Sequence, residues 1–154
     1  MLKFIAIISI ALIASCGVNQ VEKIATPSGN PEATFKNVSK AEVSDKIISS
    51  CASRGRMIEK ATESSVVCRD TVLNVAGAMA HTMYKLSLGN SYSSDPDVVY
   101  TYNITKVKSD VKVYVSRYVE LVMPFGQPRR QNGFNAAQDH NRIVSILKSI
   151  GGEV

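Results

Sequence analysis

The stretch Val98–Thr105, VVYTYNIT, and the stretch Val111–Leu121, VKVYVSRYVEL, decide how this chain folds. In the first, Val98, Tyr100, Tyr102 and Ile104 fall on one side of an extended backbone, and the more polar Val99, Thr101, Asn103 and Thr105 on the other. In the second, Val111, Val113, Val115, Val119 and Leu121 alternate with Lys112, Tyr114, Ser116, Tyr118 and Glu120. Side chains in a strand point alternately to opposite faces, so period two over this length predicts a half-buried antiparallel pair. Lys108-Ser109-Asp110 supplies the turn between them, and Pro124 and Pro128 are expected to end the second strand.

Upstream, Val72 to Leu88 reads as a helix, with Val72, Ala76, Met79, Ala80 and Met83 as its inward stripe and Gly89-Asn90 as its stop. Gly77 costs up to about 1 kcal/mol there against alanine, and is expected to mark the close approach of another backbone. Arg56–Ala61 and Ser65–Asp70 read as two strands around the polar turn Thr62-Glu63-Ser64. Before them, Ser39-Lys40-Ala41-Glu42 is a capping box, with Val38 and Val43 placed as a hydrophobic staple. Val43, Ile47 and Cys51 follow at helical spacing, and Gly55 supplies the stop. Downstream, Asn135 opens a last helix to about Ser149, carrying Ile143, Ile146, Leu147 and Ile150. The order α-β-β-α-β-β-α predicts an α+β domain: a four-stranded antiparallel sheet with helices on one face. Both halves run helix, strand, strand, but their residues do not match.

At 154 residues, 45% apolar and 20% charged, the chain has the composition of one folded domain, which excludes wholesale disorder, collagen-like repeats and a multi-pass membrane protein. Its start is different in kind. Met1-Leu2-Lys3 is a short basic segment, and Phe4–Ala14 is an apolar run. As a helix that run reaches only about 16 Å, roughly half the hydrocarbon thickness, so it reads as a signal-peptide core. Ile13-Ala14-Ser15-Cys16 has the form of a bacterial lipobox, in which small residues admit a peptidase before a cysteine whose thiol carries a diacylglyceryl group. The competing reading is an ordinary secretory leader with a chance cysteine. Two or three chains on Cys16 would anchor the protein stably. Gly17 stands where an aspartate would signal inner-membrane retention, which favours the outer membrane, facing the periplasm. The expected organisation is thus a leader over 1–15, a lipid-anchored tether over 16–38 and one domain over 39–154. About twenty flexible residues reach near 25 Å. Ala33–Val38 is a candidate short edge strand.

With Cys16 acylated, Cys51 and Cys68 remain, and an oxidising periplasm predicts a disulfide between them; two buried free thiols are the alternative. No C-x-x-C spacing suggests redox activity. His81 and His140 are the obvious catalytic suspects. Neighbours on a helix point about 100° apart, however, so Asp139 cannot orient His140 as a triad acid would. No metal-ligand or nucleophile motif is present, so neither a catalytic site, a metal nor a cofactor is expected. The formal charge is +5, and without residues 1–15 the basic excess is four. Lys106, Lys108 and Lys112 gather near one turn. Such a balance suits anionic head groups or envelope polymers, or merely keeps a surface soluble. Nucleic acid is the wrong partner for that compartment. Tyr92, and the segment from Pro124 to Phe134 with Phe125, Arg129 and Arg130, are the candidate partner contact, since aromatics and arginines on loops anchor interfaces. Aromatics folded back onto the core are the competing reading.

The run Leu88-Gly89-Asn90-Ser91-Tyr92-Ser93-Ser94-Asp95-Pro96, the strand pair after it, and Pro124-Phe125-Gly126-Gln127 resemble a group of small proteobacterial lipoproteins. Those chains carry a lipobox and a G-N-S-Y-S-x-x-P segment before an alternating strand. The resemblance covers about residues 39–150 and implies fold and location, with no activity and no functional residue. The expected function is therefore a non-catalytic envelope lipoprotein that binds or scaffolds another envelope component, a protein or an anionic polymer. The alternative is a carrier enclosing a lipid or other hydrophobic small ligand in an apolar cavity.

Overall fold

The structure is a computed structural model, and it describes residues 21–132 and 137–154. The leader, Cys16, Phe134 and Asn135 lie outside the described residues. In chain order the elements are β1 (Glu32–Phe35), α1 (Lys40–Ser53), β2 (Met57–Thr62), β3 (Ser65–Thr71), α2 (Val72–Leu88), β4 (Asp97–Val107), β5 (Asp110–Val122), β6 (Pro128–Gln131) and α3 (Ala137–Ser149). The alternation in the two long strands is realised as read: β4 pairs β5 antiparallel from Asp97↔Glu120 to Val107↔Asp110. Val98, Tyr100, Tyr102 and Ile104 of β4 are buried with Val111, Val113, Val115 and Val119 of β5.

An α+β domain on an antiparallel sheet is correct, but the sheet has six strands rather than four, in the order β1-β5-β4-β3-β2 with β6 also on β5. Both extra strands use the outer edge of β5. Its first half pairs β1, through Ala33↔Val113 and Phe35↔Val111. Its last four residues pair β6, from Val119↔Gln131 to Val122↔Pro128. Pro128 therefore opens a strand instead of closing one. Lacking an N–H, proline is tolerated at the first position of an edge strand. The segment from Pro124 onward is not one long loop but a hairpin turn followed by β6.

β1 also changes the reading of the segment before α1. Glu32, Ala33 and Phe35 are buried, and Thr34 exchanges two backbone hydrogen bonds of 2.8 Å with Glu153. The end of the expected tether is thus built into the sheet, between β5 and the C-terminus. The candidate edge strand over 33–38 is present, shifted to Glu32–Phe35, but four residues carry too little periodicity to name their partner. Their place is fixed by backbone pairing that any sequence can make.

Nor do the three helices form a single layer on one face. α1 starts where the capping box puts it: the Ser39 hydroxyl accepts the Glu42 N–H at 3.1 Å, and Gly55 follows at φ +70°. Its Val43, Ile47 and Cys51 join the core with Ile143 and Leu147 of α3. α2 lies instead across the ends of β3 to β6 and buries only Val72 fully. Its expected stripe holds only in part: Val72 is buried and Ala80 packs on the core, but Ala76, Met79 and Met83 are exposed, and Val75, Tyr84 and Leu88 pack inward instead. Gly77 explains the change. It stands at φ 81°, ψ 176°, outside helical space, in a region populated almost only by glycine. A Cβ there would meet nothing within 4 Å, so the glycine serves a backbone break, not a close approach.

Candidate functional site

The covalent link is the firmest of the expected features. Cys51 and Cys68 form a disulfide, with Cα atoms 6.4 Å apart, joining the inner face of α1 to the inner face of β3. Both residues are buried. Closing a seventeen-residue separation stabilises by about 3 kcal/mol in the chain-entropy description.

The expected contact residues gather only in part. Tyr92 stands 84% exposed on a turn that its neighbours hold rigid. The Asn90 side-chain oxygen accepts the Tyr92 N–H at 2.9 Å, and the Ser93 hydroxyl donates to the Asn90 carbonyl at 2.7 Å. That turn is stitched to the end of β5: Ser94 N–H donates to the Val122 carbonyl, and the Ser94 hydroxyl accepts the Val122 N–H, both at 2.8 Å. Gly89 fits closely here, since a Cβ would sit 2.3 Å from the Ser93 hydroxyl and 3.0 Å from Leu121. Phe125 stands 91% exposed at the tip of the β5–β6 hairpin, where Gly126 takes φ +77°.

The two arginines part company because they sit next to each other on a strand. Arg129 opposes Leu121 and Arg130 opposes Glu120, so their side chains leave opposite faces. The Arg129 guanidinium donates to the Leu88 carbonyl at 3.4 Å, at the C-terminal end of α2, where a cation suits the helix dipole. Arg130 joins the other face, paired with Glu120 and lying 4.9 Å from the centre of the Tyr118 ring. Tyr92, Phe125 and Arg129 therefore share one end of the domain, and Arg130 belongs to a separate charge network.

Arg69, which sequence reasoning passed over, is the hub of that network. Its guanidinium meets Glu120 at 2.8 Å and Glu59 and Asp97 at 3.2 Å. Burial pushes the Glu120 carboxyl up, but hydrogen bonds from Arg69 and Arg130 outweigh it and hold the pKa below the usual range. Burial dominates at Asp97 and raises its pKa despite Arg69. The signal was available, since alternation on β3 places Arg69 on the face opposite Cys68.

The histidines are occupied otherwise. His81 Nε2 lies 3.4 Å from Asp95, which also holds Lys85 at 2.8 Å. His140 is buried, with Nε2 lacking a hydrogen-bond partner, while Asp139 turns to Arg117 at 3.2 Å. Burial first, then the charges of Lys23 and Arg117, hold the His140 pKa below 6.5. It borders a polar cavity of about 280 Å³ with Lys23, Asn30, Arg117 and Asn132. Of the basic cluster, Lys112 lies over Tyr114 at 4.7 Å and 3.3 Å from Glu32, and Lys106 and Lys108 stay exposed. No group of three or more His, Cys, Asp or Glu side chains suited to a metal ion occurs among the described residues.

The end that carries Tyr92 and Phe125 also carries Met79 and Met83 of α2, which the sequence reading placed inside, together with Leu86. Met79 is 80% exposed, Met83 64% and Leu86 78%. A groove of about 420 Å³ runs between α2 and the Tyr92 turn, lined by His81, Lys85, Leu86, Asn90 and Ser91. Large apolar side chains on a hydrogen-bonded base suit contact with another surface. Comparison with protein-family models and with curated proteins returns no match for this chain.

Proposed function

We propose that this protein is a non-catalytic bacterial envelope lipoprotein, of the kind its lipobox and Gly89–Pro96 segment resemble. Acyl chains on Cys16 hold it to a membrane facing the periplasm, in keeping with the absence of an aspartate at position 17. Its domain binds or scaffolds another envelope component through the end bearing Tyr92, Phe125 and Arg129. The single observation that carries this reading is the buried Cys51–Cys68 disulfide. Such bonds persist in oxidising compartments, which agrees with an export leader and a lipobox.

Binding is favoured over turnover because most chemistry-bearing side chains are tied into structural pairs: His81 with Asp95, Arg117 with Asp139, and Arg69 with three carboxylates. The exception, His140, has lost its neighbouring carboxylate Asp139 to Arg117. It is favoured over carriage of a hydrophobic ligand because sheet and helices share a core of close-packed apolar side chains, and the cavity beside His140 mixes Lys23, Arg117, Asn30 and Asn132 with Val115 and Ile143 and so offers no wholly apolar interior.

The test is metabolic labelling with an alkyne palmitate analogue, followed by fractionation. Label should enter the wild-type chain, follow it into the envelope fraction and vanish in Cys16→Ala. Absence of label, with the uncleaved chain in the cytosol, overturns the proposal.

A further inference from the structure

We infer that the outer face of α2, centred on Met79, Met83 and Leu86, rests on the bilayer that holds Cys16. The inference builds on the lipoprotein reading just given and adds an orientation to it. Its starting point is where the folded body begins. The Asn141 amide clamps the N-terminal segment from both sides, donating to the Glu22 carbonyl at 2.7 Å and accepting the Ile24 N–H at 2.8 Å. Only residues 17–21 stand between Cys16 and that clamp. The six Cα-to-Cα steps from Cys16 to Glu22 span at most about 21 Å fully extended. The bilayer therefore cannot stand farther than that from the clamp on α3.

Beside that clamp lie the Gly29–Pro31 turn and Val115–Arg117 of β5, and α2 adjoins it through the next residue of α3. Arg142, the residue after the clamping Asn141, reaches the Val75 carbonyl of α2 at 3.5 Å. Asp139, two residues before the clamp, meets Arg117, and Tyr84 of α2 feels the charge of both.

The chemistry of the α2 face fits this neighbour. Ala78, Met79, Thr82, Met83, Leu86 and Ser87 are its exposed positions beyond Gly77, and none is charged. The residues of α2 that can carry a positive charge are His81 and Lys85, and both turn to Asp95. A helix face in water normally carries charge; one without it, holding two methionines and a leucine, suits the boundary between head groups and acyl chains. Exposed Arg142 at the border supplies a cation for lipid phosphates.

The chain contains no tryptophan, so one introduced indole reports alone. Full-length chain carrying Met83→Trp, and a control carrying Asn103→Trp on the exposed opposite face of the sheet, would be produced with the leader. Each would be placed in vesicles of phosphatidylethanolamine and phosphatidylglycerol with brominated acyl chains, after the intact mass has reported the state of Cys16. With Cys16 acylated, the indole at position 83 should be quenched several-fold more strongly than that at position 103. Equal, weak quenching on an acylated protein overturns the orientation and leaves the lipoprotein reading standing. A mass without acyl chains overturns both. An indole at position 83 shielded from aqueous acrylamide yet not quenched by the lipid assigns the face to a second copy or another protein, and also overturns the inference.

Discussion

α1 and α2 differ in how well a hydropathy pattern could place them, although both have bounds close to those read from sequence. In α1 the apolar residues Val43, Ile47, Ile48 and Cys51 lie on one side and charged and hydroxyl residues fill most of the other, so one orientation alone buries grease and exposes charge. α2 has small or apolar residues on most of its circumference, and two stripes compete, Met79–Met83 and Ala80–Tyr84–Leu88. Periodicity identifies a helix in both cases. It selects the buried face only where the other face is polar.

The sharpest way to break this contrast is to truncate one side chain from each stripe. Ile47→Ala should cost about 2–5 kcal/mol, as for any fully buried aliphatic residue; Met83→Ala should stay within about 0.5 kcal/mol. Urea unfolding of purified domains measures both. Equal losses would mean that Met83 is buried and the orientation of α2 is wrong.

A second contrast is covalent: α1 is tied to β3 through Cys51–Cys68, and α2 has no such bond among the described residues. The double variant Cys51→Ala with Cys68→Ala should lose about 3 kcal/mol. Hydrogen exchange should rise in α1 while the amides of α2 change little relative to global unfolding. Gly77→Ala sharpens the comparison from the other side, since a backbone conformation reserved for glycine costs about 1–3 kcal/mol when another residue is forced into it. An unchanged melting temperature would show that α2 can straighten through position 77 at no cost.

α3 extends the comparison to a helix whose buried side includes an ionisable group. The folded-state pKa of His140 lies below its unfolded value, so the unfolded chain binds more protons as pH falls. Stability is then complete above about pH 6.5 and declines below it. Across about pH 7 to 5, His140→Gln should flatten the slope of stability against pH. This is the smallest of the expected effects, and an unchanged slope would place the acid sensitivity elsewhere.

The candidate site was legible where a residue's own chemistry fixed its partner. Two inward-facing cysteines on adjacent elements had one partner each, and the disulfide followed. Tyr92 and Phe125 were read as exposed, and their turns hold them so. Arg129 and Arg130 were read as a pair on a loop; a four-residue strand sends them to opposite faces. That strand has no alternating hydrophobic signal, because all four residues of β6 are exposed.

By itself the sequence determined the long hairpin of β4 and β5, the start of α1 at Ser39 and the pairing of Cys51 with Cys68. Each rests on side chains that interact over short distances or repeat with a fixed period. An edge strand near Ala33 was legible too, but tertiary structure alone decided that it shares the outer edge of β5 with β6, that α2 turns Met79 and Met83 outward, and that the N-terminal segment is clamped at Asn141. Strand addition is made by backbone N–H and C=O groups that every residue other than proline carries alike, and a helix with two apolar stripes is rotated by whatever surface receives it. Neither can be read from the order of residues until the rest of the chain has folded around them.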